Sequence, residues 1–405
     1  MTQFEVIRLG HKGDGITRDG VFVPNALPGE IVEGDAENDR VMNARIITPS
    51  PARVAPACRH YKTCGGCALQ HASDEFVADW KREIVATALK NHGISAGLET
   101  ICTSPSRSRR RAVFHGRRTK KSVMVGLYGR ASGSLVPVSD CILMTPEIMS
   151  AYGALERLVQ LGASRRGEMN LAVIATETGL DVSVENGKPL DMDLRIELGQ
   201  VVRDQRFSRL SWNGEDVAGD APAYLRFGKA RVVPPAGAFL QATAAGEAAL
   251  VHAMRRAVGD AQRVIDLFAG CGTFSLPCAE TAEVHAVESV SEMLDALSKG
   301  WRQADGLKRV TVETRDLFRQ PIRADELNRF DAAIIDPPRP GAAAQCDEIA
   351  KSALKTIGFV SCNPITFARD AKTLTDAGFV LDWIEVIDQF RWSTHVEIAA
   401  RFLRV

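Results

Sequence analysis

Residues 264–276, VIDLFAGCGTFSL, run from an apolar strand through Gly270 and Gly272 into a helix. In a turn of this kind the backbone can approach a nucleotide-like ligand. A dinucleotide fingerprint asks for a third glycine or alanine at position 275, and this chain has Ser275, which speaks against NAD. Twenty residues beyond Phe268, Glu288 ends the next strand-like run, EVHAVE, where a carboxylate can accept both hydroxyls of a ribose. Asp316 follows a third run, RVTVET, and Asp336 ends a fourth, FDAAIID. Acids at the carboxyl ends of successive strands suit an adenosine ligand with a cationic centre and suit a pyrophosphate poorly. Taken singly, each acid reads equally well as a solvated strand-end charge. Taken in order, the four features favour S-adenosylmethionine.

Outward from this turn, strand-like runs alternate with helical windows from about residue 235, and IGFVSC supplies a fifth strand. That alternation marks an open parallel sheet wound on both faces, an α/β domain of Rossmann-like type. FVLDWIEVID and HVEIAARFLRV read as two further strands. Residues 1–50 instead form short alternating runs punctuated by glycine, the pattern of a small β-barrel. The Pro-rich stretch SPARVAPAC then marks a boundary. Between it and about residue 230 lie a cysteine segment, a helix behind Ser73-Asp74 and several short mixed strands, so a central α+β domain is expected. The division is therefore 1–50, 51–230 and 231–405, and the helix at about 74–92 is free to pack on the third unit.

Composition narrows the class of function. With 45% hydrophobic and 25% charged residues the chain reads as globular. No apolar run approaches the roughly 18 residues of a membrane helix, and the first residues lack the apolar stretch of a signal peptide, so a cytoplasmic location is expected and no membrane partner. Net charge is zero, which excludes a global field for nucleic acid, yet residues 107–121, RSRRRAVFHGRRTKK, hold eight Arg or Lys and no acid. Arg109, Arg110, Arg111, Arg117 and Arg118, interleaved with Phe114 and His115, are candidates to grip phosphates and stack on bases; a solvated charged face is the plainer reading. Nine cysteines do not form a disulfide framework in a reducing compartment. Cys58, Cys64 and Cys67 have C-x5-C-x2-C spacing, with Cys141 as a distant fourth thiol. The spacing leaves zinc, an iron–sulfur cluster and simple burial all open. Cys102, Cys271, Cys278 and Cys346 have no partner pattern and read as packing residues.

One cysteine stands apart. In GFVSCNPITFARD, residues 358–370, Cys362 ends the fifth strand, and Pro364 suits the first turn of the helix that follows. A helix N-terminus beside a thiol is expected to lower its pKa. Asp336-Pro337-Pro338-Arg339 occupies the same crevice, acidic where amino-group methyltransferases usually carry asparagine. A thiol next to a methyl donor has a specific use. Its addition to C6 of a pyrimidine turns C5 into a carbon nucleophile, and a base must then remove the C5 proton. HVEIAARF offers Glu397 as that base.

FVSCNPITFARD and DQFRWSTHVEIAARF together resemble the two C-terminal signatures of the RNA uracil-5-methyltransferase family. The resemblance covers essentially the whole chain and implies Cys362 as nucleophile and Glu397 as general base. It also implies Gln241, Phe268, Glu288 and Asp336 as donor-binding residues, with Thr273 and Asp316 at further donor positions. Thr243 departs from the asparagine expected two residues after Gln241. The same resemblance implies that Cys58, Cys64, Cys67 and Cys141 ligate a [4Fe-4S] cluster and that the N-terminal barrel is a TRAM-like RNA-binding module. Cluster and barrel together point to the branch acting on 23S rRNA, with no protein partner evident. Competing readings are a transfer-RNA enzyme of the same mechanism, an RNA cytosine-5 methyltransferase, and a non-catalytic iron–sulfur RNA-binding or assembly protein on a relic fold.

Overall fold

The computed structural model describes residues 2–404. Seven short strands between Thr2 and Thr48 curl around Val6, Val23, Val32 and Val41. Their hairpins are cut short by turns such as Asn38-Asp39, both at positive φ. A buried carboxylate, Glu30, ties this unit to the following segment by pairing with Arg53 and accepting from the Leu27 and Ser50 amides.

A second seven-stranded sheet is built from residues 111–218 and is antiparallel except where Gly179–Glu185 runs beside Arg209–Trp212. Helices Tyr152–Gly162 and Met192–Gln205 cover one face around Phe114, Leu155 and Trp212. Trp212 sits so close to Gly162 and Gly187 that a Cβ at either would lie 2.1–2.3 Å from its ring, so these glycines are packing necessities.

The large sheet positions the chemistry. In chain order its members are α1 (Asp74–Lys90), β1 (Leu98–Thr103), α2 (Ala244–Val258), β2 (Arg263–Leu267), β3 (Glu283–Glu288), α3 (Ser291–Gln303), β4 (Val310–Thr314), β5 (Ala332–Ile335), α4 (Ala343–Lys351), β6 (Thr356–Ser361), α5 (Pro364–Asp376), β7 (Phe379–Asp388) and β8 (Glu397–Arg404). The strand order is β4-β3-β2-β5-β6-β8-β7-β1, parallel through β6, with β8 antiparallel to both β6 and β7. Alternate residues feed opposite faces, as the two-residue period of a strand requires. Val264, Ile334 and Val360 pack with α2 and α3, while Ile265, Ile335 and Phe359 pack with α1, α4 and α5.

The seven strands expected from residue 263 onward all form, each within a few residues of its run. The helix behind Ser73 forms as well, capped by the Ser73 hydroxyl on the Phe76 amide and with Asp74 and Glu75 in its first turn. That helix and β1 both belong to the large sheet's layer. Lys81 of α1 is fully buried and its Nζ lies 2.6 Å from Asp388 Oδ1 and 3.2 Å from the Phe390 carbonyl. A buried ammonium is tolerable only with such partners. The strand β1 pairs in parallel with β7 at the sheet's edge. No described helix is long and apolar enough to cross a membrane.

Candidate active site

Gln241, Phe268, Thr273, Glu288, Asp316, Asp336, Cys362 and Glu397 line one cavity of about 580 Å³ at the carboxyl ends of the strands. Its floor is the turn after β2. Gly270 and Gly272 have φ of +55° and +93°, and a Cβ on Gly272 would meet Leu297 at 2.8 Å, so only glycine fits there. Phe268 is itself at φ +64°, a rare conformation for an aromatic residue. Its ring faces Phe318 at 5.5 Å and gives the cavity an aromatic wall. Ser275 is fully buried and donates to Asp266 Oδ2 at 2.5 Å, which explains a hydroxyl where a dinucleotide fold would carry glycine.

The acids are held in different ways. Glu288 accepts from the Gly270 amide at 3.1 Å on one oxygen and from the Ser289 and Val290 amides on the other. Oε1 also takes the Ser289 hydroxyl and is filled, whereas Oε2, with the Gly270 amide alone, retains acceptor capacity for a ligand hydroxyl. Asp316 accepts from the Phe318 and Arg319 amides and so caps the turn after β4. Asp336 receives Gln241 Nε2 at 3.4 Å. Burial, reinforced by Asp266, raises its pKa to about 7, and Asp266 is likewise raised by burial to about 7. Glu397 is buried and raised to about 8, first by desolvation and then by Asp336, while hydrogen bonding from Gln389 and the charge of Arg339 pull it down.

Cys362 is half-buried at the end of β6, and α5 does begin at Pro364, with the Asn363 side chain accepting from the Ile365 amide at 3.1 Å. The expected lowering of the thiol pKa is not what this arrangement produces. Burial, then Glu397 and Asp336, push the thiol up to about 11, outweighing Arg339. Burial is the largest cause, and the carboxylates that sequence reading placed in the crevice for other purposes add to it. Neutralising them, by protonation or by a cation in the cavity, would remove that added part and favour the thiolate.

Gln389, Phe239, Phe318 and His395 line the same cavity or its support and escaped the reading of the sequence, while Arg109, expected at an RNA surface, and Arg339 also line it. The triplet DQF was in view, but nothing in its composition distinguishes Gln389 from a surface amide. Thr243, the departure noted above, caps α2 through Gly246 at 2.9 Å and bonds Ser104 Oγ at 2.7 Å. The turn after Gln241 is therefore closed by threonine.

A second cavity, of about 980 Å³, runs between the N-terminal unit, α1 and the start of α5. It shares Arg339, Cys362 and His395 with the first, so the two spaces meet at the thiol. Exposed Arg8, His11 and Lys12 line its far side. The basic run at 107–121 is placed otherwise than expected. Residues 111–118 form a strand, so Ala112, Phe114 and Gly116 point inward, and Phe114 is fully buried with no face free for a base. Arg110 is tied to Glu247 in a largely buried ion pair. Arg109 is desolvated between the cavity and the cysteine segment, and Arg117 bonds Glu168 at 2.7 Å. His115 lies against Tyr128 with ring centroids 4.1 Å apart. Arg118, Lys120 and Lys121 remain toward solvent around the turn to the next strand.

Cys58, Cys64, Cys67 and Cys141 come together from two loops. Each of Cys58, Cys64 and Cys141 raises the pKa of Cys67, which burial drives to about 12. Arg109 and Arg130 bring positive charge against the group, and Arg130 also donates to the Cys67 carbonyl at 2.8 Å. Among the described residues no group of three or more His, Cys, Asp or Glu is arranged to hold a metal ion. Neither zinc nor an iron–sulfur cluster, both left open by the spacing, finds such a group among the described residues. Cys271, Cys278 and Cys346 are buried as expected of packing residues, whereas Cys102 on β1 is exposed.

A family model described as tRNA (uracil-5-)-methyltransferase matches residues 231–404. An uncharacterized RNA methyltransferase of Mesorhizobium japonicum is 42% identical over 98% of this chain and 97% of its own length. The 23S rRNA (uracil(1939)-C(5))-methyltransferase RlmD of Halomonas elongata is 31% identical over 96% of this chain and 86% of its own. This chain belongs to the RNA uracil-5-methyltransferase family. It is an RNA methyltransferase. The tRNA (uracil-54, C5)-methyltransferase of Pyrococcus abyssi, solved with S-adenosyl-L-homocysteine, matches in fold with a TM-score of 0.75 over 99% of this chain and all of that one, at 19% identity. An α/β methyltransferase fold thus accounts for the order of the large sheet.

Proposed function

We propose that the enzyme methylates C5 of uridine in RNA, using S-adenosylmethionine, and that the RNA is 23S rRNA. The observation that carries this is the convergence of Cys362 and Glu397 on the cavity that also holds the donor-site residues. The cavity fits the donor by chemistry: two rings for a base, the free acceptor capacity of Glu288 Oε2 for a ribose hydroxyl, and Asp336 for a positive centre. When bound, the donor supplies an electrophilic methyl group.

The chain's own residues do the rest. Cys362 Sγ adds to C6 of the uracil, and the electron pair of the C5–C6 bond becomes available at C5 to take the methyl. Glu397, ionised, then removes the C5 proton. The pair of the C5–H bond restores C5–C6, and the C6–S bond breaks to return the thiolate. A raised carboxyl pKa near the working pH matches a base that must accept a proton and give it up again each turnover.

The second cavity is the route for RNA. Arg8, His11 and Lys12 would hold phosphates there while the target base swings past Arg339 and His395 into the first cavity, as chemistry on a stacked base requires. The N-terminal unit would act as a TRAM-like module and line that route. Cys58, Cys64, Cys67 and Cys141 would hold a [4Fe-4S] cluster. The donor set supports this reading: four thiols and two adjacent guanidinium groups suited to an anionic cluster. Bound there, it would join two loops of the central region and take no part in methyl transfer. Identity of 31% with RlmD across nearly the whole chain supports 23S rRNA.

The test is covalent trapping with 5-fluorouridine RNA, either 23S fragments or transfer RNA, with protein purified without air. An adduct on 23S fragments, absent from Cys362→Ala, is expected. An adduct on transfer RNA alone keeps the mechanism and replaces the substrate. With neither RNA forming an adduct, the thiol is not the nucleophile.

A further inference from the structure

The central sheet has a covered face and an open one. Ala112, Phe114, Val125, Leu171 and Val173 point into the core beneath the two helices, whereas alternate residues of the same strands meet solvent. The open face is apolar where a merely solvated one would be polar. Val113, Met124 and Tyr128 are each 38–40% exposed, and His115 lies against Tyr128. Register sets Met124 beside Arg117, and His115 beside Asn170, so these side chains share one surface spread over Val123–Tyr128, Arg111–Arg118 and Glu168–Thr176. At one end stands Phe239, 62% exposed, with Arg111 over its ring at 5.6 Å. Phe239 also lines the cavity that holds Cys362. The other end is basic. Arg118, Lys120 and Lys121, together with Arg157 of the covering helix, border a hollow of about 490 Å³. Pairing of Glu168 with Arg117 brings the exposed Arg165 and Arg166, just before it, alongside the same turn. Among the described residues none of these six cations is held in an ion pair. The acids nearby are Glu156 at the hollow and Glu168, which is already taken by Arg117 and the Tyr128 hydroxyl.

We propose that this open face is a track for single-stranded RNA flanking the target: bases lie on Tyr128, Met124 and Val113, and the basic end holds phosphates. The proposal rests on the reading given above only in taking the cavity as the place where the target base goes. Exposed aromatic and apolar side chains beside unpaired cations are what a single strand needs, since its bases have free faces and its backbone carries charge. A duplex offers phosphates alone and would leave the apolar residues uncovered. Continuity with the cavity supplies the second argument. Phe239 belongs to both the cavity and the track, and it does not border the cavity beside the N-terminal unit. The RNA therefore reaches the thiol past Arg8, His11 and Lys12 and leaves by a different edge. From Arg111 to Arg118 the strand spans roughly 23 Å, room for several nucleotides before the cations are reached.

The test compares, by fluorescence anisotropy on the full-length enzyme, a short RNA around the target uridine with the same RNA carrying an unpaired tail on its 5′ or its 3′ side. One tail should tighten binding. Tyr128→Ala should weaken that tailed RNA by about fivefold or more, the lower end of base–aromatic stacking, and leave the short RNA unchanged, which also reports a folded protein. Tyr128→Phe, which loses only the bond to Glu168, should bind the tail as wild type does. Replacing Lys120 and Lys121 together by alanine should lower the slope of log affinity against log salt by about 1.4 for the tailed RNA, the share of two single-strand phosphate contacts. Pairing the tail with a complementary strand should abolish the Tyr128 effect. The proposal is overturned if neither tail tightens binding, if the variants weaken short and tailed RNA alike, if Tyr128→Phe is as weak as alanine, or if the Tyr128 effect survives in a duplex tail. It is also overturned if sedimentation shows a wild-type dimer that Tyr128→Ala dissolves, since the face then belongs to a second copy of the chain. Trapping of short 5-fluorouridine RNA is run beside these measurements. Wild-type protein that traps nothing removes the methylation reading, whereas a missing tail effect with trapping intact removes the track alone.

Discussion

Two regions of the molecule gather buried groups that water would rather keep apart, and they do so by different means. The acids and thiol of the cavity stand at the ends of β2 to β6 and on β8, strands hydrogen-bonded to one another with registers fixed along their length. The four cysteines stand on loops, at 58–67 and at 141, held to the central sheet by contacts such as the Gly65 amide on the Tyr128 carbonyl. The first region keeps its geometry by itself. The second brings thiols within electrostatic reach without forming a metal-holding group. A sheet can preorganise charges against their mutual repulsion, whereas loops need whatever they bind to complete them.

The sharpest division between the regions comes from the thiols. Cys362→Ala should reduce methylation to background while leaving the unfolding transition in place, because the half-buried side chain contributes little packing. Radiolabelled methyl transfer together with thermal unfolding reads both. If activity survives, the cavity is a binding site and the comparison fails at its centre. Glu397→Gln should lower turnover by about 100- to 10,000-fold, the range for loss of a general base, and should let the methylated adduct accumulate on ordinary RNA. Denaturing gels would show it. Loss of adduct along with turnover would mean that Glu397 serves an earlier step.

For the loop-borne region the expected loss is of stability. On the proposed [4Fe-4S] reading, Cys67→Ser should abolish the broad visible absorption of an iron–sulfur chromophore in protein purified without air. It should also destabilise the central region by more than about 4 kcal/mol, the class that includes loss of a metal. Donor affinity, measured by calorimetry, should change little, since the large sheet holds the donor residues. A collapse of donor binding would show that Arg109, which touches both regions, couples them.

How far these regions could be read from sequence follows from the same contrast. Alternating apolar runs have one stable arrangement as a parallel sheet, and residues that follow strand ends fall into one crevice, so Phe268, Glu288, Asp316, Asp336 and Cys362 were legible in advance. What the crevice does to their charges was not. The rise of the Cys362 pKa to about 11 comes first from burial and then from Glu397 and Asp336, carboxylates 35 and 26 residues away in the chain. The basic run misled for a related reason: residue type is visible in sequence, but strand parity turned Phe114 inward and distant Glu247 claimed Arg110. The placement of Gln389 beside Gln241 was invisible because it depends on a backbone amide 147 positions away.

Charge in the cavity also yields a pH prediction. Glu397, Asp336 and Asp266 have folded-state pKa values of about 8, 7 and 7, above the ordinary 4.5 and 3.8. Between the ordinary and raised values the folded protein holds more protons than the unfolded chain, so stability is present at the acidic end and is lost as pH rises through about 7 to 8. The slope is about 1.4 kcal/mol per pH unit for each group titrating. Thermal unfolding of donor-free protein from pH 5 to 8.5 should therefore decline, while activity, which needs Glu397 ionised, rises over the same span. S-adenosylmethionine should stabilise more than S-adenosylhomocysteine toward the alkaline end, since its positive sulfur meets ionised acids there. A flat profile would mean that solvent reaches these carboxyls and that the cavity is no better shielded than the loops.

The smallest effect tests whether the preorganised region needs its local caps at all. Thr243 is buried, caps α2 and bonds Ser104, immediately beside the Gln241 and Gln389 pair. Thr243→Ala should cost about 1 kcal/mol in denaturant unfolding, the usual value of an N-cap. Thr243→Asn retains a capping oxygen but displaces Ser104, and should cost less than alanine. If both substitutions are neutral, the turn is set by Gly246 packing on Gln389 and by the sheet behind it. Placement of Gln241 would then be wholly tertiary, which is the strongest form of the contrast with the cysteine loops. If alanine costs clearly more than 1 kcal/mol and also loosens donor binding, the hydroxyl pair of Thr243 and Ser104 is itself part of what holds the cavity open.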